Sequence, residues 1–206
     1  MSIRKKLLLL ILAAAVVWVA LNFDYLRKNV AYELSGPPET QNPTSTQPEI
    51  PANPNPPPSN HPLPQGDLTV TSLGISVPVL YAERVDENHF QALLINGVVH
   101  YPGTAEIGQI GNPYIFGHSS DNAWSKGKYK TIFAVLPKIK IGAEIFISDR
   151  AGQQYTYKVI DARVVNKNDI SVLSQDTGGR KILTLQTSYP VGTSLKRYVV
   201  VAELTE

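Results

Sequence analysis

The sequence predicts a mainly β domain, a closed or nearly closed barrel or a sandwich, behind an apolar N-terminal helix and a proline-rich spacer. Three observations lead there. From Gly66 to Glu206 the chain is a succession of short alternating or β-branched runs broken by Gly, Asn, Asp and Pro. Only two stretches in that region carry helical spacing. Residues 1–65 divide instead into a long uncharged apolar run and a tract dominated by proline.

The N-terminal element begins with Arg4, Lys5 and Lys6 and continues without charge from Leu7 to Phe23. A helix over those residues spans roughly 25 Å, near the lower limit for crossing a bilayer. Basic residues ahead of the run favour a cytoplasmic N-terminus with the remainder outside. A cleaved signal peptide competes with this, but no small-residue cleavage site follows in "VALNFDY". The expectation is a retained single-pass signal anchor over residues 1–28, with the rest of the chain extracytoplasmic at the cell membrane.

Residues 29–65 form the second element. Eleven of the sixteen prolines fall between Ser35 and Gln65, interleaved with Asn, Ser, Thr and Gln. With almost no apolar side chains, nothing there offsets the entropy of ordering. Proline at that density favours extended conformations, and full extension reaches on the order of 90 Å. The tract reads as a spacer that holds a domain off the membrane.

Residues 66–206 form the third. The strand-like runs, in order, are "LTVTSL", "SVPVLYA", "GVVHY", "YIFGH", "AEIFIS", "QYTYKVIDARVV", "KILTLQT" and "RYVVVAEL". "DENHFQALLI" at 86–95 predicts a short helix, with Phe90, Leu93 and Leu94 on one face. "YKTIFAVLPKI" predicts a second helical turn or short helix, stopped by Pro137. Periodicity does not choose between barrel and sandwich.

Composition narrows the function. The chain of 206 residues is 43% hydrophobic with a formal charge of +2, enough for one core and without a basic stripe. Nucleic acid is therefore not an expected partner. With no cysteine, the chain has no disulfide, thiolate metal site or thiol nucleophile. Asp121, Asp149 and Asp169 are scattered without the ligand spacing of a cation loop, and neither a metal nor a cofactor is expected.

One constellation carries chemistry. His118 follows a strand and a glycine in "YIFGHSS", Ser188 ends the strand "ILTLQTS", and Arg197 opens the next strand nine residues later. A base, a nucleophile and a cation at three strand ends meet the needs of acyl transfer. A hairpin between the last two strands would bring Ser188 beside Arg197. The distance to His118 does not follow from spacing.

These segments resemble the sortase family. Thr184-Leu185-Gln186-Thr187, then Pro190, Gly192, Thr193 and Arg197, match its C-terminal signature in all but the nucleophile, where Ser188 stands in place of Cys. "GVVHYPGTAEIGQIGNPYIFGHSS" resembles its upstream block, and "SLGISVPVLYAE" its opening strands; the likeness spans roughly residues 68–204. The resemblance implies a sortase-like eight-stranded β-barrel with short helices. It implies cleavage of a C-terminal sorting motif (LPxTG-like) of exported proteins, and transfer of the acyl group to an amine on cell wall or pilin. By position, His118 is implied as general acid/base, Arg197 as substrate and oxyanion binder, and Thr187 as a residue lining the site. His100 lies in the block without an implied catalytic role and is expected to be structural.

The serine alters the kinetics expected of such a site. A thiol is partly ionised near neutral pH and strongly nucleophilic, whereas a hydroxyl attacks only as a well-aligned base removes its proton. The shorter C–O bond also sets the oxygen back from a carbonyl placed for sulfur, a misplacement that can cost ~100-fold. The expectation is a transpeptidase or peptidase weakened by Ser188; the alternative is an inactive module that binds sorting-motif peptides.

Overall fold

The computed structural model describes residues 66–120 and 127–205, with scattered helical positions between Lys5 and Ala20. The expected spacer at 29–65 and most of the expected anchor at 1–28 lie outside the described residues. Among the described residues no helix is long and apolar enough to cross a membrane.

Eight strands form, one for each predicted run: β1 (Gly66–Val70), β2 (Ile75–Tyr81), β3 (Val98–His100), β4 (Tyr114–Phe116), β5 (Glu144–Ser148), β6 (Gln154–Asn166), β7 (Ile182–Tyr189) and β8 (Lys196–Leu204). They close into a barrel in the order β1-β2-β3-β4-β7-β8-β6-β5, with β5 paired back to β1. The choice between barrel and sandwich is thereby made. Hairpin neighbours pair antiparallel, while β2–β3 and β4–β7 are parallel and depend on the long excursions between them.

The strand alternation is what fills the barrel. On β1, Leu68 and Val70 point inward and are fully buried while Asp67 is exposed. Ile145 and Ile147 on β5 and Tyr157 on β6 meet them, and Ile115, Leu183 and Leu185 close the core from β4 and β7. Tyr157 turns its hydroxyl to accept the Gly108 N–H at 2.9 Å, which satisfies the one polar atom it brings inside.

Helix α1 (Glu87–Leu94) forms where predicted. Asp86 caps it by accepting the His89 N–H at 2.8 Å, and Phe90 and Leu94 pack on Val99 over the barrel wall. The second helical prediction needs correction. Pro137 does not stop a helix; it lies inside a 3-10 turn, Leu136–Lys138, near the start where its missing N–H costs nothing. A further 3-10 turn, Ile170–Leu173, opens at Asp169 and lies in the β6–β7 connection.

Candidate active site

Two strand registers bring the three chemistry-bearing residues to one row. Ser188 on β7 pairs directly with Arg197 on β8. Phe116 on β4 pairs with Gln186 on the other side of β7, so two residues on, His118 comes level with Ser188. The parallel pairing persists beyond the end of β4, because the Gly117 N–H donates to the Gln186 carbonyl at 3.1 Å. His118, Ser188 and Arg197 are each partly exposed, and all three line one cleft of about 430 Å³.

Gly117 explains the approach. A Cβ there would lie 2.8 Å from both Phe133 Cδ2 and Val98 Cγ1, so only glycine fits between the His-bearing segment and the barrel. The next carbonyl, that of His118, accepts the Phe133 N–H at 3.0 Å. Beyond it, the Ser120 hydroxyl accepts the Gly192 N–H at 3.0 Å, which ties the His118 segment to the turn between β7 and β8. Gly192 takes a left-handed φ of 84° to present that N–H.

Thr187 does not line the cleft. Strand alternation turns it inward, fully buried, and its hydroxyl donates to the Gly117 carbonyl at 2.8 Å. It thus touches the segment that carries His118 rather than the cleft itself. Arg197 is held by main-chain carbonyls, its Nη1 donating to Ser194 and Lys196 at 3.1 Å each. That curls the guanidinium back over the β7–β8 turn.

The cleft walls are residues the sequence did not mark. Phe90 and Leu94 of α1 form one side, Tyr101, Tyr114 and Phe116 the floor, and Ile170, Val172 and Leu173 of the 3-10 turn the other side. Phe90 and Phe116 meet edge to face at 5.1 Å. Burial pushes the Tyr114 phenol well above its usual pKa, opposed by the nearby Arg197 charge, so it stays protonated. Its hydroxyl donates to Gln186 Oε1 at 3.1 Å.

The 3-10 wall is fastened by two reciprocal carboxamides. Gln175 Oε1 accepts the Ala105 and Asn112 N–H groups at 2.9 and 3.1 Å, and its Nε2 donates to the Asn112 and Leu173 carbonyls at 3.0 and 2.9 Å. Asn112, buried, returns the pattern, its Nδ2 donating to the Val172 and Ser174 carbonyls while its Oδ1 accepts the Thr184 hydroxyl. Parity could have found Gln186, which alternates with Ser188 along a strand; no local pattern marks Gln175.

His100 is structural, as expected. It is 3% exposed, stacks on Tyr81 at 4.5 Å and shares a hydrogen bond with the Ala105 carbonyl at 2.9 Å. Asp149 and Asp169 serve turns: Asp149 accepts the Ala151 and Gln153 N–H groups, and Asp169 the Ser171 N–H. Asp121 lies outside the described residues.

With a hydroxyl, an imidazole and a guanidinium in one row beside a cleft where aromatic and aliphatic side chains are joined by Glu87, Gln91, Lys167 and Asp169, the arrangement suits acyl transfer on an extended peptide. Known proteins agree in fold and family. The family model for the Sortase domain matches residues 68–205. Sortase C-1 from Actinomyces oris superposes with a TM-score of 0.57 at 25% identity, covering 68% of this chain and 73% of that one. A lid mutant of sortase A from Corynebacterium diphtheriae gives 0.56 at 24% identity, over 68% and 69% of the two chains. A sortase D5 transpeptidase from Clostridium perfringens gives 0.55 at 23%, over 68% and 78%. The last two bear on the fold alone. No match is found among curated proteins.

Proposed function

The chain belongs to the sortase family, and from that premise we propose that it is a transpeptidase acting on the C-terminal sorting motif, LPxTG-like, of exported proteins. The observation that carries this is the row itself: Ser188 opposite Arg197 and level with His118, on the rim of one peptide-sized cleft. In the first half-reaction the Ser188 hydroxyl attacks the scissile carbonyl as His118 takes its proton. Arg197 offsets the charge that develops on the carbonyl oxygen. The C–N bond then breaks, the proton passes from His118 to the leaving amine, and an ester remains on Ser188. In the second, an amine on cell wall or pilin attacks that ester, its proton goes to His118 and on to Ser188, and a new amide leaves. An N-terminal anchor and spacer (1–28 and 29–65) would present the domain (66–206) outside the cell membrane, where such substrates emerge.

A second function is favoured by one observation, the oxygen at position 188. A hydroxyl attacks only with concerted proton removal, so the same cleft would serve as a peptide-binding module if that alignment fails. A comparison of the full-length protein with its Ser188→Cys and Ser188→Ala variants separates the two. The expected result is peptide cleavage at least ~100-fold slower than for the Cys variant, with an acyl adduct on Ser188 by intact mass. Equal rates for Ser and Cys would overturn the weak-nucleophile argument. A Cys variant that binds peptide yet stays inert would establish the binding module.

A further inference from the structure

The cleft floor contains a carboxamide that the chemistry above does not use. Gln186 faces the cleft two residues before Ser188, level with Phe116 on one side and with the buried Val199 on the other. Phe90, Leu94 and Tyr101 complete the floor and wall, and Glu87, Gln91, Lys167 and Asp169 line the same cleft. Tyr114, buried and protonated, donates its hydroxyl to Gln186 Oε1 at 3.1 Å. A carboxamide has an acceptor oxygen and two N–H donors. With Oε1 engaged by Tyr114, and no bond to Nε2 among the described residues, the donors are what this side chain offers the cleft.

A ligand that covers those donors without replacing their water leaves a buried group unsatisfied, at a cost of about 1–3 kcal/mol. An acceptor on the ligand removes that cost. Two residues along a strand are about 7 Å, the reach of two residues of extended peptide from the carbonyl at Ser188. On the Gln186 side of Ser188 the cleft is walled by α1 and the 3-10 turn; on the other side lies the exposed turn from Pro190 to Lys196. The acyl half of a peptide stays bound through both half-reactions, while the leaving half is exchanged for an amine. The walled side therefore suits the acyl half.

We propose that Gln186, aimed by Tyr114, is a specificity-determining subsite that takes a carbonyl-type oxygen of the acyl half, one or two residues before the scissile bond. This rests on the proposal that the cleft binds sorting-type peptides. The oxygen comes from an Asn or Gln side chain or from the peptide main chain, and a peptide panel distinguishes them.

The test measures binding, in a Ser188→Ala background of the full-length protein in detergent, of Leu-Pro-X-Thr-Gly peptides with X as Asn, Gln, Leu or Met. Gln186→Met is expected to weaken binding about tenfold. A loss confined to X as Asn or Gln assigns the oxygen to a side chain, and an equal loss across the panel assigns it to the main chain. Gln186→Glu, similar in size and without a donor, must weaken binding at least as much, and Tyr114→Phe must weaken it less. Binding unchanged or tightened by Gln186→Met for every peptide, or retained in full by Gln186→Glu, overturns the subsite alone. If no peptide of this class binds the Ser188→Ala protein, the proposed function fails and the subsite falls with it.

Discussion

At the scale of single residues, the tightest constraint on the site is the missing side chain of Gly117. An added methyl would press on Phe133 and Val98, both closed into the core, so relief has to come from the backbone that leads to His118. Overpacking of this kind costs about 1–3 kcal/mol. Gly117→Ala is expected to lower the melting temperature and to reduce peptide turnover beyond what the lost stability explains, since His118 moves with the backbone. Melting curves and cleavage rates on one preparation check this; unchanged turnover in a destabilised variant would show that the His118 position is not set here. His100 yields a second prediction. Burial holds its pKa below the usual histidine value, outweighing the Ala105 carbonyl and Glu106, which favour the charged ring, while Arg150 adds to the depression. Tyr81 stacks on it and carries the Arg150 guanidinium at 4.0 Å over its own ring. A base with a depressed folded pKa binds fewer protons folded than unfolded, so stability is full above the unfolded value of about 6.5 and declines as pH falls below it. The melting temperature is expected to drop on acidification from about pH 7.5 to about pH 5.5, and His100→Gln to flatten that drop. Parallel pH dependences of the two proteins would contradict it.

At the scale of elements, the cleft depends on a 3-10 turn that has almost no ladder of its own. The wall Ile170–Leu173 is held chiefly by Gln175 and Asn112, whose side-chain amides do the work of a strand pairing between the β6–β7 connection and the segment ahead of β4. Gln175→Met keeps the side-chain length and removes four hydrogen bonds, each worth about 1 kcal/mol net. Hydrogen exchange over residues 168–175 is expected to accelerate while β7 and β8 keep their protection, and peptide affinity to fall. Unaltered exchange in that segment would show that apolar packing of Val172 and Leu173 holds the wall. This element also marks where sequence stopped being informative. All eight strands were legible, because each is a short apolar or β-branched run, alternating inward and outward as in β1 or buried throughout as in β3, and bounded by turn residues. Pro137 misled because proline ends a helix and equally opens a 3-10 turn. Gln175 left no trace, since its partners lie up to 70 residues away and share no periodicity with it.

At the scale of the whole molecule, the site exists only because the barrel is closed by pairings that no short-range pattern encodes. The β4–β7 pair joins residues 70 apart and carries His118 to Ser188, which is why spacing gave the Ser188–Arg197 hairpin and not the third member of the row. Thr187 departs from expectation for a related reason: which side of a strand faces the cleft follows from the closed core, not from adjacency to Ser188. The same topology distributes stability unevenly. The ladders β7–β8 and β6–β8 run eight and nine residue pairs, whereas β3–β4 has two and the seam between β1 and β5 also has two, Leu68 with Ile147 and Thr69 with Phe146. Local opening follows such differences in ladder length and contact. In native-state hydrogen exchange over a denaturant series, the seam amides on β1 and β5 are expected to exchange through a partial opening. Those of Leu183–Gln186 and Val199–Val201 are expected to exchange only with global unfolding. Peptide binding, which depends on the second group, should then survive denaturant concentrations at which the seam already opens. If the seam and the β7–β8 ladder share one exchange free energy, the barrel opens as a unit and the site has no more rigid half to stand on.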